Sequence, residues 1–68
     1  MRYAVLFAKT ATGYSAHVPD LPGCVAAGAT MEKTGELMRQ AIQMHLAGMR
    51  EDGDPIPEPS TIAEYITA

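Results

Sequence analysis

Tyr3, Val5 and Phe7 alternate with Ala4, Leu6 and Ala8 along the first run of the chain. Both faces of this strand are therefore apolar. The pattern predicts a central strand, covered on one face by a helix and on the other by a partner subunit or another protein. Thr10-Ala11-Thr12-Gly13 follows, with the composition of a hairpin loop. From Tyr14 to Val18 the alternation is clean, with Tyr14, Ala16 and Val18 on one face and Ser15 and His17 on the other. Val18-Pro19-Asp20-Leu21-Pro22-Gly23-Cys24 then holds two prolines three residues apart, which remove two backbone donors and fix two φ angles. That is a rigid turn. Cys24-Val25-Ala26-Ala27-Gly28 reads as a third strand, so the first three elements form an antiparallel meander.

The period changes after Thr30. Met31, Leu37, Met38, Ala41, Ile42, His45, Leu46 and Met49 recur at three- and four-residue spacing, which predicts one amphipathic helix of roughly 22 residues, about 33 Å long. Thr30 is placed to cap it, and Glu32 lies in the first turn, where the helix dipole favours an anion. Lys33 stands where a capping box wants Glu or Gln. Gly35 and Gly48 lie inside the helix at a cost of about 1 kcal/mol each, and either would permit close packing. Gly53 is a natural stop. Beyond it, Asp54-Pro55-Ile56-Pro57-Glu58-Pro59-Ser60 places a proline at every second position, which predicts a stiff extended strap. Tyr65-Ile66-Thr67 favours a fourth strand within residues 61–68. The fold class expected is α+β, in the order β-β-β-α-β, with one long helix laid across an antiparallel sheet.

Sixty-eight residues make one domain, residues 1–68, and a chain of this length buries only about 60% of its unfolded surface. One cysteine rules out an internal disulfide, and Cys24, His17 and His45 are too few soft ligands for a structural metal. Self-association into a dimer or higher oligomer is the remaining route to stability. The first apolar run is too short for a signal peptide or a membrane span, and a lone cysteine suits a reducing compartment. A cytoplasmic protein without membrane contact is expected. Net charge is −3, and its distribution is uneven. Arg2, Lys9, Lys33, Arg39 and Arg50 all precede residue 51, whereas Glu51, Asp52, Asp54, Glu58 and Glu64 follow with no basic residue among them. An acidic end repels phosphate backbones and attracts basic partners.

Candidate chemistry is thin. Ser15 and His17 share a strand face, but no acidic residue completes a catalytic arrangement with them, so they read as a polar edge or an interface. Cys24 reads as a small buried residue. His45 lies on the apolar stripe of the helix, and no metal-ligand spacing surrounds it. Met44 falls off that stripe and points to a partner. The first two strands lack the converging carboxylates that a two-metal nuclease needs. Neither catalysis, a cofactor nor a metal is expected.

Six stretches together resemble the N-terminal domain of the HicB-like antitoxin family. They are Arg2-Tyr3-Ala4-Val5, Gly13-Tyr14-Ser15-Ala16, the double-proline turn, Gly28-Ala29-Thr30, the helical Ala41-Ile42 to Leu46, and Asp52 to Ser60. The turn and the Ile-Pro-x-Pro strap carry most of the likeness; Lys33 and Gly35 depart from it. The resemblance implies a partial ribonuclease-H-like fold without nuclease carboxylates. It also implies binding of a small basic HicA-type toxin, an mRNA-cleaving protein whose active site the antitoxin covers. Many members carry a further C-terminal DNA-binding domain, which these residues do not contain, so no DNA contact is expected. The interface candidates are Ser15, His17, Asp20, Met44, Glu51, Asp52, Asp54 and Glu58. Two alternatives are an oligomeric binding module for RNA or a small molecule, with Arg2, Lys9 and Arg39 as its basic patch, and a degenerate ribonuclease-H-like hydrolase using His17, Ser15 or Asp20.

Overall fold

The turn after the second strand sets the limits of the sheet. In the computed structural model, which describes residues 1–68, the Leu21 N–H donates to the Val18 carbonyl (3.1 Å) and the Cys24 N–H to the Leu21 carbonyl (3.0 Å). These are two consecutive β-turns with Pro19 and Pro22 at their second positions. Gly23 has φ +83°, so the second turn is type II, the form in which glycine is favoured at the third position. The Val18 N–H donates to the Cys24 carbonyl at 3.2 Å and closes the pair.

Three strands result: β1 Leu6–Lys9, β2 Tyr14–His17 and β3 Val25–Gly28, antiparallel in the order β1-β2-β3. The first hairpin is closed by Thr10 N–H donating to the Gly13 carbonyl at 2.8 Å. Three expectations are corrected here. The first strand is an edge, not the centre; β2 pairs on both sides. It also begins at Leu6, because Leu6 lies opposite His17 and the proline turn leaves nothing beyond Val18 for earlier residues to pair with. Cys24 belongs to the turn, and β3 starts one residue later at Val25.

Helix α1 spans Met31–Glu51. Thr30 caps it: its hydroxyl accepts from the Lys33 N–H at 3.0 Å. At the other end, Gly53 (φ +73°) donates to Arg50 and Asp54 to Met49, which closes a Schellman motif. The helix packs on the face of the sheet that carries Ala16. Ala16, Val18, Leu21, Cys24 and Met38 form the buried core, bordered by half-buried Tyr3, Val5, Ala26, Ala41, Ile42 and Leu46. Met31, counted on the apolar stripe, is exposed at the first turn, and Thr34 takes the buried position instead. The Thr34 hydroxyl is satisfied by donating to the Thr30 carbonyl at 2.7 Å.

The close-packing glycines are not the helical ones. A Cβ on Gly48 would meet nothing within 4 Å, and one on Gly35 only the Phe7 ring at 4.0 Å. A Cβ on Gly28 would lie 2.8 Å from Thr34 Oγ1, and one on Gly13 would overlap the Gly28 carbonyl. Both seat the first hairpin and β3 against the helix start. Residues 54–68 carry no regular secondary structure. The fourth strand expected within residues 61–68 is therefore not formed, since no strand within the chain pairs with it.

Candidate functional site

The strap and the residues just after it are tied to the rest of the domain by two long-range attachments. The Tyr3 hydroxyl donates to the Pro57 carbonyl at 2.6 Å. The Asp20 carboxylate, presented by the rigid turn, accepts four hydrogen bonds. Oδ2 takes the N–H groups of Ser60 (2.9 Å) and Thr61 (3.0 Å), and Oδ1 takes their hydroxyls (3.1 and 2.8 Å). These donors, the Thr61 and Ser60 N–H groups foremost, lower the Asp20 pKa from 3.8 to about 2. Asp20 thus holds residues 60–61 in place; its oxygens are engaged within the chain. Neither spacing nor composition signalled this contact.

The outer face of the sheet, away from the helix, carries Leu6, His17 and Val25 side by side in register. Ala8, Ser15 and Ala27 form the next row. His17 is exposed and Ser15 half-buried, and Val25 is 64% exposed. This face carries no Asp, Glu, Lys or Arg and is made of small or aliphatic side chains around one imidazole. Met44 is 74% exposed on the helix, about 120° around it from Met38. Because α1 lies on the opposite face of the sheet, the structure does not bring Met44 together with Ser15 and His17. Glu51 ends the helix, Asp52 is its C-cap, and Asp54 follows the Schellman turn, so three acidic residues cluster at one end of α1. Glu58 is exposed farther along the strap.

Two features had no counterpart in the sequence reading. A groove of about 300 Å³ opens between β1 and α1, lined by Val5, Phe7, Gly35, Met38, Arg39 and Ile42. Past Thr61, Ile62, Tyr65 and Ile66 are 87%, 103% and 85% exposed. Strand propensity marked this tail as apolar, but nothing in the spacing told that it would stand clear of its own domain.

Cys24 is buried, and burial pushes its thiol pKa up, which disfavours the reactive thiolate. No group of three or more His, Cys, Asp or Glu side chains is placed to hold a metal ion. No helix is long and apolar enough to cross a membrane.

Residues 3–68 match the model of the HicB-like antitoxin of bacterial toxin-antitoxin systems. The chain is 38% identical over 66 residues to an uncharacterised 14.9 kDa protein of the rep–hol intergenic region of Haemophilus phage HP1 (strain HP1c1). The match takes in 97% of this chain and 50% of the phage protein, so the chain spans about half the length of that curated relative. Its fold superposes on a chain of a HicA3 and HicB3 toxin-antitoxin complex with a TM-score of 0.75 at 28% identity, covering 88% of this chain and 70% of the other. With the three-stranded meander, the single long helix and a family match running from Tyr3 to the last residue, the chain belongs to the HicB-like antitoxin family of bacterial toxin-antitoxin systems.

Proposed function

We propose that this chain is a non-catalytic antitoxin that binds a small basic HicA-type toxin and covers its active site. The observation that carries this reading is the likeness to a chain of the HicA3 and HicB3 complex, joined to the family match over residues 3–68. Charge supports it. Glu51, Asp52 and Asp54 cluster at the end of α1, Glu58 extends the acidic surface along the strap, and no basic residue follows Arg50. Such a surface steers a basic partner and speeds association at low ionic strength. Ser15 and His17 on the outer sheet face and Met44 on the helix offer contact surface, and Asp20 fixes the strap that presents Glu58. The protein acts in the cytoplasm as a self-associating domain, without a cofactor, and these residues contact neither DNA nor membrane.

Co-expression with the small basic toxin encoded beside it tests the reading. Relief of toxin-induced growth arrest, with both proteins co-purifying, is the expected result. A toxin that arrests growth equally with and without this chain, and does not co-purify, contradicts it.

A further inference from the structure

We propose that the helix flank formed by Leu37, Ala41, Met44 and Gly48 pairs antiparallel with the same flank of a second copy, joining two chains through their long helices. The four residues recur at alternating spacings of four and three, the repeat of a helix-pairing seam. At about 100° per residue they fall within roughly 60° of one another around the axis. α1 packs over β3 and β2, and Gly35 and Arg39 line the groove on its β1 side. The seam lies on the opposite flank, beside β3. Met44 is exposed there, and Leu37, Ala41 and Gly48 are half-buried.

The sizes along the seam are self-complementary. A two-fold axis passing between Ala41 and Met44 sets Leu37 against the partner's Gly48 and Met44 against the partner's Ala41. Each large side chain thus meets a small one. A Cβ on Gly48 would touch nothing within 4 Å in its own copy, so no contact within the chain calls for a glycine there. Glycine disfavours a helix interior. Opposite Leu37 it lets two helix backbones come close.

Charge selects a second copy and its direction. Lys33 and Glu51 project along the border of the seam, on the same side of the helix and about 27 Å apart. In the antiparallel pair each Lys33 faces the partner's Glu51. A parallel pair would set like charges together, and a uniformly basic partner would meet Lys33 with its own sign. Both residues also stand at the end of α1 where the helix dipole disfavours them, Lys33 in the first turn and Glu51 in the last. Gly48, Lys33 and Glu51 are therefore three choices that weaken the isolated helix and converge on one surface. The pairing gives Met44 its contact in a second copy and leaves Asp52, Asp54 and Glu58 clear for a basic toxin. It rests on the reading of the chain as self-associating and is independent of toxin binding.

Sedimentation of the whole chain, alone and across micromolar concentrations, tests it. The wild type is expected at twice the chain mass. Lys33→Glu and Glu51→Lys should each weaken the dimer about tenfold by setting like charges together. Each change suits the helix dipole, so loss of the dimer cannot come from a weakened helix. Mixing these two variants should restore association, because in the mixed dimer both end pairs again carry opposite charges. Gly48→Leu favours the helix and blocks the partner's Leu37, and should give a folded monomer with its helical circular dichroism intact. A monomeric wild type overturns the pairing, whether the seam then lies open or takes another protein. So does failure of mixing to restore the dimer. A dimer indifferent to all three substitutions keeps self-association and overturns the seam.

Discussion

Thr61 donates both its backbone N–H (3.0 Å) and its hydroxyl (2.8 Å) to the carboxylate of Asp20, on the far side of the helix in sequence. With Ser60 doing the same, the turn that ends β2 becomes the anchor for the segment that follows the strap. The placement of Ser60 and Thr61 thus rests on one ionised side chain.

That dependence has a pH signature. The Asp20 pKa is lowered by folding, from 3.8 to about 2. The contact therefore stabilises fully above about pH 4 and is lost as pH falls from there through about 2. The Ser60 and Thr61 amide resonances are expected to titrate together with a midpoint near pH 2. Asp20→Asn should speed exchange of those amides by roughly tenfold at neutral pH while leaving the helix amides unchanged. A midpoint at the ordinary carboxylate value would mean the anchor is not formed.

Tyr3→Phe removes the hydroxyl that reaches Pro57 and leaves that carbonyl to water. The expected loss is about 1 kcal/mol in urea unfolding, with faster protease cleavage across the strap. An unchanged strap would show that Asp20 alone holds it.

Two glycines should respond with opposite signs to the same substitution. Gly28→Ala drives a methyl against Thr34, whose hydroxyl is already fixed on Thr30, and is expected to destabilise by about 1–3 kcal/mol. Gly48→Ala meets open space and should stabilise by up to about 1 kcal/mol. Thermal unfolding of the pair checks both.

Met38 is the one helical side chain in a buried apolar core of five residues, the others coming from β2 and the proline turn. Met38→Ala should cost about 2–5 kcal/mol. For a domain of this size, total stability is about 3–10 kcal/mol, so the variant is expected to be largely unfolded at 37 °C by near-ultraviolet circular dichroism.

The elements with local chemical causes were legible in the sequence. Thr30 and Gly53 bounded the helix, and the two prolines with Gly23 defined the turn. What was missed depended on distant residues. Pro19 shortens β1 only because Leu6 is registered opposite His17, and no local pattern states that register. Strand propensity in Tyr65-Ile66-Thr67 reports fit to a half-buried pleated surface, and these residues pair with no strand of the sheet here. Asp20 read as an interface candidate, and its hydrogen bonds to Ser60 and Thr61, forty residues on, had no local signal. Among the candidate surface residues, alternation did place His17 outward and helical spacing did leave Met44 off the core. The groove lined by Arg39 and Ile42 required the packed structure to see.

The central claim, that the chain silences a HicA-type toxin by covering it, is tested most directly by titrating the purified chain into an mRNA-cleavage assay of that toxin. Cleavage is expected to fall to background at stoichiometric antitoxin, with association slowing as salt rises. Cleavage that persists at a large excess of this chain would contradict it.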